Sequence, residues 1–332
     1  MARSSRKNGR GNGSGNGNGR RNGNGRRNGN GRRAARPKRS PQTVPIRPGQ
    51  PVGEARGTLI IIGGHEDKVG DRLILRAVAE RVGGGKLVVS TVASTVPDEL
   101  WETYRKVFHE LGVRHVEHLH VESRQEAKEE KAVRVLDGAT GVFFTGGDQL
   151  KLTSQLGDSP IYSRLKEIYD GGGLVAGTSA GASVVCETML VSGGGSESHR
   201  IGGNLQMAPG FGLIPGVIID QHFAERGRIG RLVAAVAQNP RILGVGIDEN
   251  TAIVCDPQYC FRVLGDGAVY VVDGADVTYT NLTEEATDRT LSTFNVRLHL
   301  LSQGDEFDLA TRVPTSHPAE EVEEELVGAS EG

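Results

Sequence analysis

No run of about eighteen apolar residues occurs in the chain, which excludes a helix able to cross a bilayer. No apolar segment follows the basic start, as a secretory leader would require. Only three cysteines are present, Cys186, Cys255 and Cys260, too few and too poorly spaced for a disulfide framework or a zinc site. These absences together fit a reducing cytoplasm. Neither a Walker A sequence, a Gly-x-Gly-x-x-Gly turn nor a metal-ligand spacing is found, so no cofactor and no metal is expected.

Acidic and aromatic residues are missing from residues 1–53, which carry 14 Lys and Arg. The whole chain of 332 residues has a formal charge of −2, so the remainder stands at −16. Within the first segment Arg20-Arg21-Asn22-Gly23-Asn24-Gly25 recurs at Arg26 to Gly31, and Pro37, Pro41, Pro45, Pro48 and Pro51 follow. A sequence with so few apolar side chains cannot offset its backbone entropy by burial. Residues 1–53 are therefore expected to form a disordered basic tail and Pro-rich linker, suited to contact with a polyanion. Without an aromatic residue for base stacking it is poorly equipped for sequence-specific nucleic-acid recognition. The acidic run Glu320 to Glu325 places a second, solvated tail at 316–332.

Between them, residues 54–315 alternate short β-branched runs with amphipathic stretches. Strands are predicted at Thr58–Ile62, Lys86–Ser90, His115–Val121, Gly141–Thr145, Leu174–Thr178, Val217–Asp220 and Ile242–Asp248. Helices are predicted over Arg72–Val82, Pro97–Leu111, Ser123–Leu136 (capped by Ser123), Ile161–Tyr169 and Gly227–Gln238. Continuous apolar strands separated by helices imply an α/β fold of three layers, a mostly parallel sheet with helices on both faces. Beyond Thr251 the pattern changes to strands and turns, which should extend or flank the sheet.

The strongest chemical signal is Leu174-Val175-Ala176-Gly177-Thr178-Ser179-Ala180-Gly181, a buried strand running through Gly-x-Ser-x-Gly into a helical stretch. That is the setting of a nucleophile elbow, with Ser179 exposed at the sheet edge. A base is then needed, and an acid to orient it. His222 follows the strand ending in Ile218-Ile219-Asp220-Gln221 and can meet Ser179 at the carboxyl edge of a parallel sheet. Two acids compete for the orienting place: Glu249, after the strand Ile242–Asp248, and Glu197, in the Gly- and Ser-rich loop 192–199. Rigid support favours Glu249, and both stay open. The Gly pair of Phe144-Thr145-Gly146-Gly147-Asp148-Gln149 offers the N–H of Gly147, with that of Ala180, as an oxyanion hole. Gln149 is expected to project into the cleft, although Asp148 could equally cap an ordinary helix start there. The similar Gly63-Gly64-His65-Glu66-Asp67 carries less by itself.

These segments, together with Asp220-Gln221-His222-Phe223, Arg226, Arg228 and Arg231, and Gly246-Ile247-Asp248-Glu249, resemble the cyanophycinases over roughly residues 57–300. That family groups with aspartyl dipeptidases among serine peptidases of the class I glutamine amidotransferase-like, flavodoxin-like fold. The resemblance implies hydrolysis of cyanophycin, a poly-aspartate carrying arginine on each β-carboxyl, to β-Asp-Arg dipeptides. It implies Ser179 as nucleophile and His222 as base, matches both Glu249 and Glu197 to acidic positions of the relay, and implies Gln149, Asp220, Gln221 and Arg231 as substrate-binding positions. It implies a homodimer. Chemically, Arg228 or Arg231 could pair a substrate carboxylate and Asp220 a guanidinium. A dipeptidase for small aspartyl peptides, or an idle protein binding a polymer or nucleic acid, would be the alternatives.

Overall fold

A computed structural model of the chain describes residues 57–192, 205–282 and 289–316. The expected basic tail 1–53, most of the acidic tail 316–332, and Glu197 with its loop lie outside the described residues. No helix among those described is long and apolar enough to cross a membrane.

The first half of the fold alternates strands and helices. β1 (Thr58–Ile62), α1 (Leu73–Val82), β2 (Lys86–Ser90), α2 (Pro97–Glu110) and β3 (His115–Leu119) open it. α3 (Glu130–Arg134), β4 (Ala139–Phe144), α4 (Gln149–Leu156) and α5 (Pro160–Asp170) follow, then β5 (Leu174–Thr178) and the one-turn α6 (Ala180–Ser183). Strands β1, β5, β4, β2 and β3 lie side by side in that order, all parallel. Their side chains alternate between two cores. Leu59, Ile61, Val142, Phe144 and Val175 meet Leu152, Leu156, Ile161 and Leu165 of α4 and α5 on one face. Ile60, Ile62, Val89, Phe143 and Ala176 meet Leu75 and Val78 of α1 and Val107 and Phe108 of α2 on the other. Helices therefore cover both faces, as expected.

The chain then makes the hairpin β6 (Thr188–Ser192) and β7 (Gln206–Pro209), followed by β8 (Val217–Gln221), α7 (Ile229–Gln238) and β9 (Leu243–Ile247). β10 (Thr251–Cys255), β11 (Cys260–Gly265) and β12 (Val269–Asp273) come next. A two-residue pair, β13 (Tyr279–Thr280) with β14 (Thr293–Phe294), precedes β15 (Arg297–Leu301), β16 (Glu306–Asp308) and β17 (Val313–Thr315). β10, β11, β16 and β17 extend the large sheet from β1 as an antiparallel flank, giving nine strands.

Two expectations are corrected. β8 and β9 do not join the large sheet; they pair in parallel within a separate four-stranded sheet, β15-β12-β9-β8. Val217, Ile219, Val245 and Val271 pack into the large sheet's core, while Ile218 and Val272 meet Leu232 and Val236 of α7. The bare faces of Gly244 and Gly246 admit Leu232 and Phe223 at distances that a Cβ would forbid. Nor is Ser123–Leu136 one helix. It breaks into a 3-10 turn, Glu126–Lys128, and α3, because Glu129 is extended at ψ 134°. Ser123 does cap its turn, its Oγ accepting from the N–H of Glu126. With only Ala127, Ala132 and Leu136 buried in this charged stretch, placing them in the core outweighs helix propensity.

Candidate active site

The elbow is built from close approaches that only glycine permits. A Cβ on Gly177 would lie 2.3 Å from the carbonyl oxygen of Gly181, and one on Gly181 would lie 2.4 Å from that of Phe144. Strand and helix can thus close on one another around Ser179, whose φ of 54° and ψ of −107° lie where non-glycine residues are strained. The strain turns its hydroxyl out of the strand end.

Three consecutive carbonyls at the end of β1 hold the partners. Ile62 O accepts from the N–H of Ser179 (3.0 Å), Gly63 O from that of His222 (2.8 Å), and Gly64 O from that of Asn250 (2.8 Å). Segments from both sheets are thereby tied to one strand terminus. Ser179 Oγ lies 3.0 Å from His222 Nε2, and His222 Nδ1 lies 2.5 Å from Glu249 Oε1. An ionised carboxylate only accepts, so Nδ1 carries the proton and Nε2 is left to accept from the serine hydroxyl. Burial holds the His222 imidazole below the usual histidine range, although its bond to Glu249 pulls the other way. For Glu249, burial pushes upward, but hydrogen bonds from His222 and His65 outweigh it and hold the carboxyl below the usual range. Neutral imidazole and ionised carboxylate are the states that a base and its orienting acid need at neutral pH.

Gly146-Gly147 lies alongside. A Cβ on Gly146 would stand 3.4 Å from Ser179 Cβ and 3.9 Å from its Oγ, and Gly147 has a φ of 143° against Ala93. Among the described residues, the N–H groups of Gly147 and Ala180 donate to no backbone carbonyl. Asp148 caps α4, accepting from the N–H of Leu150, so the ordinary helix start is present. Gln149 is buried, and its Nε2 donates to Leu190 O at 2.6 Å instead of standing free in a cleft.

Asp220, Arg228 and Arg231 pair with one another rather than waiting for substrate. Asp220 takes both ends of the Arg231 guanidinium, with Nε at 2.6 Å, and accepts from Arg228 Nη1 at 3.1 Å. Arg228 also donates to the backbone oxygen and Oε1 of Gln221. All three charged residues are buried. Burial brings the Arg228 guanidinium down to about 10, still charged at neutral pH. The expected contacts of Asp220 with a guanidinium and of Arg231 with a carboxylate are thus made inside the chain, below the segment that carries His222.

The turn after β1 contributes more to the site than its sequence suggests. A Cβ on Gly64 (φ 115°) would sit 2.3 Å from His222 Cε1, so the imidazole rests on bare backbone. His65 Nδ1 donates to Glu249 Oε2 at 2.8 Å. Glu66, buried, accepts from Tyr104 Oη and from Thr178 Oγ1, each at 2.5 Å, and pairs with Lys68 at 2.9 Å. It braces the residue just before the elbow serine. The sequence signal of this turn is a Gly pair at a strand end, the same signal as at Gly146-Gly147.

Comparison with known proteins decides the family. The sequence model of peptidase family S51 matches residues 59–261. The chain belongs to peptidase family S51. This S51 chain is 40% identical to the cyanophycinase of Synechococcus elongatus over 259 residues, covering 77% of this chain and 80% of that protein. It is 41% identical over 264 residues to the cyanophycinase of Nostoc sp., covering 78% and 88%. A solved peptidase from an acI-B1 actinobacterium shares the fold, with a TM-score of 0.59 at 22% identity, covering 77% of this S51 chain and 98% of its own.

Proposed function

We propose that this serine-type peptidase is a cyanophycinase, releasing β-Asp-Arg dipeptides from cyanophycin through Ser179, His222 and Glu249. The observation that carries the reading is the continuous hydrogen-bonded line from Ser179 Oγ through His222 to Glu249, on an elbow strained to expose the hydroxyl. Its resemblance to curated cyanophycinases supports the substrate.

Ser179 Oγ attacks the scissile carbonyl carbon while its proton passes to His222 Nε2. The N–H groups of Gly147 and Ala180 receive the developing oxyanion, where such donors contribute most. The imidazolium, oriented and stabilised by Glu249, then protonates the leaving amine as the C–N bond breaks. Water, deprotonated by the same imidazole, hydrolyses the acyl ester and restores Ser179. In this reading Gln221 lines the pocket, Gln149 braces its wall through the bond of its Nε2 to Leu190 O, and the Asp220–Arg231–Arg228 cluster fixes its floor. The −16 charge of the chain beyond residue 53 favours an arginine-rich polymer. The proposal extends to a cytoplasmic homodimer and to contact of the +14 segment 1–53 with a polyanion.

The test is incubation of the purified full chain with cyanophycin and mass spectrometry of the soluble products, alongside Ser179→Ala. Dipeptide from the wild type, reduced by at least ~10³-fold in the variant, is expected. Undiminished turnover by Ser179→Ala would remove the mechanism. A folded protein that cleaves only free aspartyl peptides would be a dipeptidase instead.

A further inference from the structure

The relay uses one oxygen of Glu249 and leaves the other to a residue with no part in the proposed chemistry. His65 Nδ1 lies 2.8 Å from Glu249 Oε2, while His222 Nδ1 holds Oε1. The two imidazoles stand edge to face, ring centres 5.2 Å apart with planes at 84°. His65 is held on both sides: Gly64 O receives the N–H of Asn250, and Glu66 is locked in the core by Tyr104 and Thr178. At a φ of 48° its own backbone turns the side chain toward Glu249, although the imidazole is 75% exposed. A surface histidine gains little from ordering its ring for one solvated contact. A bond on the free oxygen of an orienting carboxylate, however, fixes the plane in which the other oxygen meets the base.

We propose that His65 is a positioning residue of the relay, holding the outer oxygen of Glu249 so that the inner one faces His222. The inference rests on the Ser179–His222–Glu249 reading. It makes His65 an extension of the line to four residues, Ser179, His222, Glu249 and His65, with a second titratable imidazole at its outer end.

That second imidazole also affects acid sensitivity. The ionisable groups of this cluster are Glu249 and His222, with Glu225 accepting from the N–H of Glu249 and Arg226 near His222, and Glu66, Asp67 and Lys68 on the segment of His65. When both histidines are protonated their charges repel across 5.2 Å, and this opposes protonation of His222. Wild type should therefore keep His222 neutral, and competent as a base, to a lower pH than a variant without His65.

His65→Gly and His65→Asn suit a residue at positive φ, where glycine and asparagine are tolerated. His65→Gly removes the side chain, whereas His65→Asn keeps a neutral amide donor that can reach Oε2. The full chain is assayed on cyanophycin from pH 5 to 8 with EDTA present, with Ser179→Ala alongside. His65→Gly should lower kcat about 3- to 10-fold, the fold-change of one hydrogen bond, with KM within about 2-fold of wild type. His65→Asn should recover most of kcat. In both, the acid midpoint of kcat should rise by about half a pH unit, the size Coulomb's law gives for two unit charges at this spacing in a water-like medium.

Unchanged kcat and midpoint in His65→Gly would overturn the proposal, as would a raised KM with kcat unchanged, or an asparagine variant as impaired as the glycine one. The downfield proton resonance of His222 Nδ1 gives the midpoint without substrate. If Ser179→Ala still turns over, or cyanophycin is untouched, the functional reading fails and this resonance alone decides His65. A midpoint raised in both variants supports its role, and an unmoved one overturns it.

Discussion

Gly64→Ala tests the idea that the base rests on bare backbone. The added Cβ would lie 2.3 Å from His222 Cε1, 2.5 Å from Nε2 and 2.9 Å from Nδ1. Ordinary contact needs about 3.5 to 4.0 Å, so the ring must retreat by roughly 1 Å or more. It has little freedom to do so gently, because His222 is buried, sits at a φ of 48° and donates its own N–H to Gly63 O. Its Nε2 would leave the 3.0 Å contact with Ser179 Oγ. A misplacement of about 1 Å costs about 10²-fold in rate. The φ of 115° at Gly64 also imposes backbone strain of ~1–3 kcal/mol on alanine. For a domain of this size that is a fall in Tm of about 2–10 °C. Steady-state kinetics on cyanophycin and thermal unfolding should therefore show kcat down by ~100-fold or more, with a modest loss of stability. Gly84→Ala is the control, since a Cβ there meets nothing within 4 Å; it should leave both quantities unchanged. A folded Gly64→Ala protein with kcat within about 3-fold of wild type would refute the reasoning.

Amidating the two candidate acids separates them. Glu249→Gln should lower kcat by ~10³–10⁴-fold, the scale expected for removing the charge of an orienting carboxylate, whereas Glu197→Gln should stay within a few-fold; the reverse pattern would transfer the role to Glu197. Asp220→Asn leaves two buried guanidinium groups short of their counter-charge and should destabilise the fold by ~3–5 kcal/mol, read as a lower urea midpoint. An unchanged midpoint would mean that Arg228 and Arg231 are solvated in solution.

Local signals made much of this molecule readable in its sequence. The apolar runs mark β1, β2 and β5 to the residue, because each is buried through its middle and starts directly after a glycine, Gly57, Gly85 or Gly173. Gly177 and Gly181 flank Ser179 in the spacing the elbow needs, and His222 and Glu249 follow strand ends that can meet it. What stayed hidden depends on distant partners. Glu66 and Thr178 are 112 positions apart, and His65 and Glu249 are 184 apart. Nothing within either neighbourhood announces the other. Asp220, Arg228 and Arg231 are close in sequence, but their chemistry suits a substrate's charges as well as one another's, and only burial decides between the two. The charged stretch 123–136 failed for a related reason: its helical periodicity holds few apolar residues, and extended Glu129 is set by where Ala127 and Ala132 must go.

The division of the relay between two sheets has a mechanical meaning. His222 and Glu249 follow β8 and β9, parallel neighbours in the small sheet, so base and acid share one support. Ser179 follows β5 of the large sheet, so the nucleophile–base contact bridges the two sheets, across a seam that the backbone bond from His222 to Gly63 also spans. Slippage that broke the His222–Gly63 bond would open the serine–histidine gap while leaving the imidazole–carboxylate bond in place. Loosened packing between the sheets, by heat or by a distant core substitution, would thus act like a clutch, disengaging the nucleophile from a base that is still fully armed.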